Sequence, residues 1–419
     1  MTGAQKILAQ ASGKDHVAIG DVVYPRPELV IVHDGYVETA FKELVGLGYG
    51  ALRDPGRTVF VTDHEVAYGS QRALGRGKAI RAIAAHWKVG HFFDAGRGGH
   101  GHIFPMEAGL VRPGMFLFAY DMHCTNFGAV GALAMGVGAE ITAVLASGSL
   151  WTQVPQTLRV DLEGKFAPGC HARDAGFLLT GGLVQGRWQA EYDYRVIEFG
   201  GSGLPALALS DRVALCNSVT EIGVVSVLFA GAVPGLTSAA DAAAFSSDED
   251  APFESRITLD LAGIQPQVAL PGGPELAASV ESVAGTPVQH AFLGSCGSGM
   301  YEDFVAAAAA MRGRAVAEGV RLFVVPGTQA TARRLADEGV MQQFMDAGAI
   351  VLPPGCGPCA GGLMAPLGAG ETSISTAATN HEGRFGPPEG QAYLGSPLTV
   401  AASAVAGRIT DPRALRAGA

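Results

Sequence analysis

Three short apolar runs constrain this chain most: LVIVHD at 29–34, TVFVTDH at 58–64 and MFLFAYDMH at 115–123. Each is apolar at successive rather than alternate positions, the pattern of a strand buried on both faces in the middle of a parallel sheet. Each also ends in a polar group containing Asp and His, and ligand chemistry in parallel sheets gathers at the carboxyl ends of the strands. The expected fold class is therefore α/β, with His33 and Asp34, Asp63 and His64, and Asp121 and His123 on one rim. A single Asp–His pair is ordinarily a satisfied loop pair. Here His33, His64, His102 and His123 all recur in strand-end or glycine-rich settings, which favours a functional reading.

At 419 residues the chain is too long for one ordinary core, so two or three domains are expected. Composition, 48% hydrophobic with 59 glycines, points to a globular enzyme with many tight turns. A net charge of -10 argues against a nucleic-acid partner. No apolar stretch reaches the roughly 20 residues of a membrane helix, and MTGAQKILAQASGKD lacks a signal-peptide core. A cytoplasmic or similarly reducing location is expected. Beyond Leu158 the strands LRVDLEGKF and EYDYRVIEFGG suggest a second α/β unit, and ALCNSVTEIG is read as a helix with Asn217 and Glu221 on one face. AAFSSDEDAPFESR reads as a linker or exposed loop. A last unit alternates strand and helix: HAFLGS, EDFVAAAAAMRG, RLFVVPG, ATARRLADEGVMQQFMDAG and AIVLPPG. The expected domains are 1–155, 156–283 and 284–419.

Six cysteines over this length do not make a disulfide framework. Cys170 and Cys216 read as small buried hydrophobes, and Cys124 is left outside any ligand set. Cys296 in LGSCGSGMYED and the pair Cys356 and Cys359 in PPGCGPCAGG each follow a strand, and a strand-helix-strand-helix-strand passage can bring such loops to one edge. Three thiolates can hold a four-iron four-sulfur cluster while one iron lacks a protein ligand and acts as a Lewis acid. The residues alone leave two alternatives open, a structural zinc half-site and a dithiol pair. Zinc would need a fourth ligand, for which no second CxxC or CxxH is present, and a dithiol pair would not need Cys296.

Nearly end to end, the chain resembles the large subunit of the isopropylmalate isomerase and homoaconitase group in the aconitase superfamily. The segments carrying the resemblance include VHDG, TDH, GRGGHGHIFPMEAGLVRPG, DMHCTNFGAVGALAMGVG, VIEFGG, ALCNSVTEIG, LGSC with YED, PPGCGPC and NHEGRFG, in that order. The resemblance implies an aconitase-like fold of three α/β domains around a cleft. It also implies a 4Fe-4S cluster with one open-coordination iron, ligated by Cys296, Cys356 and Cys359. Asp63, His64, His102, Asp121, His123 and Glu221 fall on its catalytic positions, and His33, Asp34, Asn126, Asn217 and Arg384 on its substrate-binding positions. The implied reaction is dehydration and rehydration of a small hydroxylated carboxylic acid, with iron and Arg384 stabilising the charge that develops on proton abstraction. A non-catalytic iron-sulfur sensor, or a zinc or thiol protein on the same fold, is the alternative.

Departures from the family pattern bear on the substrate. Met122 stands where the family's Asp-Ser-His has Ser, and Cys296-Gly297-Ser298-Gly299 replaces Cys-Thr-Asn-Ser. Ala378-Thr379-Asn380-His381-Glu382-Gly383-Arg384 aligns with Asn-Arg-Asn-Phe-x-Gly-Arg, so only the second arginine remains. Threonine cannot replace a bidentate carboxylate fork, and a substrate lacking or differently placing one acid group is expected. The family's proton-abstracting serine lies on a swivel domain, and this chain runs out after its cluster segment, so a small partner subunit is expected to supply it.

Overall fold

The structure is a computed structural model describing residues 1–415; the last four positions of the expected 284–419 segment lie outside the described residues. It forms two compact units, one built from 1–162, 189–209 and 223–259, the other from 163–188, 210–222 and 260 onward. Among the described residues no helix is long and apolar enough to cross a membrane.

In the first unit a five-stranded sheet runs His91–Phe93, Thr58–Val61, Leu29–His33, Phe116–Ala119 and Leu133–Gly136, every neighbouring pair parallel. The three apolar runs supply its central strands, Leu29–His33, Thr58–Val61 and Phe116–Ala119, in which every residue is buried. Ile31 pairs with Val59 on one side and Ala119 on the other, so the three strands end at nearly the same height. A four-stranded sheet runs Ser226–Phe229, Val196–Gly200, Thr157–Glu163 and Arg256–Asp260. Its edge strand alternates, with Ile257 and Leu259 buried between exposed polar residues, as one-sided packing requires. Ile7 and Leu8 from the helix Gly3–Ala11 join Val37, Phe60, Phe116 and Phe118 in this unit's core.

AAFSSDEDAPFESR is not a free linker. Asp248 takes the Met1 ammonium at 2.5 Å and Lys6 Nζ at 2.7 Å. Ser247 Oγ donates to Glu198 at 2.6 Å and accepts from the Gly3 amide at 2.8 Å. Gly3 makes the approach possible, since a Cβ there would stand 2.6 Å from the Phe245 carbonyl. Composition signalled a loop correctly but could not show its acid and hydroxyls meeting the chain's first residues.

The second unit carries a seven-stranded sheet: Ala277–Ser279, Gln267–Ala269, Gln391–Gly395, Thr372–Ser375, His290–Leu293, Arg321–Val324 and Ile350–Val351. The last five are mutually parallel, and the first two are added antiparallel. Thus strands from the expected middle segment divide, most forming the four-stranded sheet while Gln267–Ala269 and Ala277–Ser279 join this one. Phe304, Met311, Leu335 and Phe344 from the helices Tyr301–Met311, Gln329–Asp337 and Val340–Asp346 fill its core. The expected single helix over ATARRLADEGVMQQFMDAG is two, because Gly339 takes φ 73 and turns the chain left-handed between them.

Candidate active site

Four loops leave the carboxyl edge of the five-stranded sheet, and their side chains converge. Asp34 follows His33 at the end of one strand, Asp63 and His64 follow the next, Asp121 and His123 a third, and the GHGH loop follows His91–Phe93. Asp63 is the hub: one oxygen accepts His33 Nδ1 at 2.9 Å and the Gly101 amide at 2.8 Å, and the other accepts His64 Nδ1 at 2.8 Å. His64 Nδ1 is also 2.8 Å from Asp34, whose carboxylate takes the amides of His64 and Glu65 as well. His33 Nε2 meets His102 Nε2 at 3.0 Å. Asp121 caps the next turn through the His123 amide at 2.8 Å and holds His123 Nδ1 at 2.9 Å. Asn126 Nδ2 reaches the His102 carbonyl at 3.5 Å.

This packing separates the imidazoles electrostatically. Burial opposes a charge on His33, but Asp63 and its hydrogen bond prevail and raise its pKa above the ordinary 6.5. For His102 burial dominates, and the neighbouring His33 adds to it, holding the ring well below 6.5. Asp63 lies well below the ordinary carboxylate value despite burial, because His33 and His64 favour its charge, and His123 does the same for Asp121. Between the two rings His33 is therefore the more basic and His102 the one held neutral, and the buried Nδ1 of His102 has no partner among the described residues. A fifth histidine, His100, was not singled out from the sequence. It is buried 3.6 Å from Asp63, and burial lowers its pKa to about 4. The alternation in GHGH was the available signal. Gly101 between the two histidines is sterically required, for a Cβ there would stand 2.4 Å from His33 Cε1.

In the second unit, Cys296 lies in the loop after His290–Leu293, and Cys356 and Cys359 bracket the turn after Ile350–Val351. These strands flank Arg321–Val324 and run parallel, so both loops leave the same edge of the sheet. All three cysteines are buried, and Cys296 and Cys359 share an apolar cluster with Phe177, Phe292, Phe323 and Phe385. Asn217 Nδ2 donates to Cys296 Sγ at 3.3 Å and Arg384 Nη2 to Cys359 Sγ at 3.8 Å. Glu221 is 3.7 Å from His381 Nε2. Asn217 and Glu221 do not share a regular helix face: the helix Leu209–Ser218 ends first, and Glu221 sits in the separate turn Thr220–Ile222. Ser218 and Thr220 hydroxyls bind the carbonyls of Ala214 and Cys216, a local bonding mode that competes with helix continuation.

Of the residues where this chain departs from the family pattern, Met122 is exposed, whereas Thr379 is buried with no partner for Oγ1 among the described residues. The soft, buried donor set of three thiols in an apolar surround, with N–H groups directed at two of the sulfurs, suits an iron-sulfur cluster.

The aconitase family (aconitate hydratase) matches residues 5–286 and 280–407. A 3-isopropylmalate dehydratase large subunit 1 from Methanopyrus kandleri is 36% identical over 98% of this chain and 99% of its own length. A probable methanogen homoaconitase large subunit from Methanothermobacter thermautotrophicus is 34% identical over 99% of this chain and 98% of its own. Among solved structures, aconitase X from Thermococcus kodakaraensis superposes with a TM-score of 0.52 at 12% identity, covering 90% of this chain and 89% of that one, a likeness of fold.

Proposed function

This chain belongs to the aconitase family, and from that premise we propose that it is an iron-sulfur hydro-lyase removing and re-adding water on a small hydroxylated carboxylic acid. The observation that carries this reading is the sulfur set: three buried cysteines on two loops at one sheet edge, with Asn217 and Arg384 donating to two of the sulfurs. Cys296, Cys356 and Cys359 would hold a 4Fe-4S cluster, which when bound supplies an open iron as Lewis acid for the substrate's oxygens.

The protein's own groups handle charge and protons. Asp63 fixes the His33 tautomer, and His33, the more basic ring, hydrogen-bonded to His102 forms a pair able to pass a proton toward a departing hydroxyl. Asp34 and Asp63 together orient His64, and Asp121 orients His123. Asn126 and Asn217 are assigned to substrate positioning, Glu221 to the leaving water and Arg384 to a substrate carboxylate through its planar fork. With Thr379 in place of an arginine, Gly297 beside the cysteine and Met122 beside Asp121, the substrate we propose lacks or differently places one acid group. The matched relatives are named large subunits, and we assign the proton-abstracting base to a small partner subunit. The oxygen-sensitive donor set suits a reducing compartment, the cytoplasm.

Anaerobic purification tests the reading through iron content, visible and paramagnetic resonance spectra and turnover of a panel of hydroxy diacids and triacids, with and without the small partner. The expected result is a coloured, iron-containing protein active only with its partner, and colourless, inactive Cys359→Ser. An iron-free protein that is nonetheless active would sink the cluster assignment.

A further inference from the structure

Arg173 is among the largest fully buried side chains, at 0% exposure, and its surroundings do not satisfy it. It sits in the first turn of the helix Ala172–Val184, with its guanidinium 5.1 Å over the Phe177 ring and Nη2 donating to the Ala377 carbonyl. Nε and Nη1 are buried without a hydrogen-bond partner among the described residues. Two carboxylates contribute to its field, and neither makes a hydrogen bond to it among the described residues. Asp174 accepts the amides of His171 at 2.8 Å and Gln267 at 3.0 Å. Asp303 accepts the Met300 amide at 3.0 Å and stands 3.4 Å from His171 Nε2. Arg173 also lies within electrostatic range of Cys296 and Cys359. Burial lowers the arginine's pKa to about 10, leaving it charged at neutral pH.

The loop is shaped around this cation. A Cβ at Gly297 would stand 2.0 Å from Arg173 Nη1 and 2.7 Å from Asn217 Oδ1, so any larger residue there would displace the guanidinium. Gly297, noted in the sequence only as the loss of a polar residue beside the cysteine, thus admits a positive one. A buried guanidinium with two unmet donors is costly unless an anion completes it. Sulfur atoms of an iron-sulfur cluster are hydrogen-bond acceptors, and such bonds and nearby charge tune cluster potential.

We propose that Arg173 is a positioning residue for the cluster, a buried cation whose free N–H groups face the sulfur side held by Cys296 and Cys359 and stabilise its negative charge. This rests on the cluster assignment above and adds a residue to it. Removing the charge makes reduction of the cluster less favourable and weakens its retention.

The test compares wild type with Arg173→Met and Arg173→Gln, each reconstituted anaerobically with ferrous iron and sulfide. The readouts are the cluster midpoint potential, iron release to a chelator, and the melting temperature of the iron-free protein. Both variants are expected to shift the midpoint negative and release iron on the order of tenfold faster. Iron-free Arg173→Met should melt no lower than wild type, since it loses an unsatisfied buried charge. Wild-type midpoint and iron release in the variants would overturn the inference, as would an iron-free protein destabilised as much as the loaded one, which marks a packing role. If Arg173→Met does not fold, Arg173→Gln, which retains a donor for the Ala377 carbonyl, decides by the same criteria. A wild type that takes up no iron overturns the cluster assignment and this inference together; normal loading with unchanged variants overturns this inference alone.

Discussion

His33 and His102 meet Nε2 to Nε2 at 3.0 Å, and the two rings are pushed in opposite directions: Asp63 raises His33 against burial, while burial and His33 lower His102. The contact is therefore polarised, with His33 the better proton holder and His102 favouring the neutral form. The same contact makes the fold sensitive to pH on both sides of the ordinary histidine value.

Folded His33 binds its proton more tightly than the unfolded chain, so its stabilisation is full below 6.5 and lost as pH rises through its raised folded value. His102 has the opposite sign, contributing fully above 6.5 and losing that contribution as pH falls toward its depressed value. Thermal melts of the iron-free protein between about pH 5 and pH 9 should show His33→Gln flattening the alkaline descent and His102→Gln the acid one. Unchanged slopes in both variants would refute the assignment.

Asp63→Asn should leave the cysteine loops intact while removing the acceptor shared by His33, His64 and the Gly101 amide. Turnover is expected to fall by about 10²–10⁴, the usual contribution of positioned acid-base groups. Iron content per chain should match wild type, and a parallel loss of iron would show the damage to be general.

Gly101→Ala drives a methyl into a space where His33 Cε1 lies 2.4 Å and Nδ1 2.9 Å from the new Cβ. Overpacking of this kind costs about 1–3 kcal/mol. Denaturant titration should detect that loss, with turnover reduced beyond what the unfolded fraction explains.

Arg384→Lys keeps the charge but loses the planar fork. KM for the preferred substrate should rise about ten- to a hundredfold, as expected for about 1.5–3 kcal/mol in a charged hydrogen bond. A change confined to kcat would move Arg384 from substrate binding to cluster support through Cys359, which its Nη2 reaches at 3.8 Å.

Much of the site's framework was readable along the chain. The runs at 29–34, 58–64 and 115–123 became adjacent parallel strands with their Asp and His residues at one edge, because a buried central strand must be apolar on both faces whatever its partners. The two cysteine loops likewise follow strands of one sheet, as alternating strand and helix requires. Local pattern failed where bonding outran sequence distance. Ser218 and Thr220 end the helix before Glu221, Gly339 divides a continuous periodic pattern, and Asp248 finds its partners at Met1 and Lys6.

Residue type and strand pattern are sufficient for what depends on neighbours in sequence: the α/β class, the strand ends and the placement of the cysteines in loops after strands. They are silent on what depends on desolvation and three-dimensional proximity. His100 looks like any histidine in a glycine loop until burial lowers it to about 4. Arg173 looks like a surface residue of HARDAG until it is enclosed against Gly297, where water no longer completes its hydrogen bonds. The free energy of a buried charge is set by the groups that replace its solvent, and only the folded chain chooses those groups.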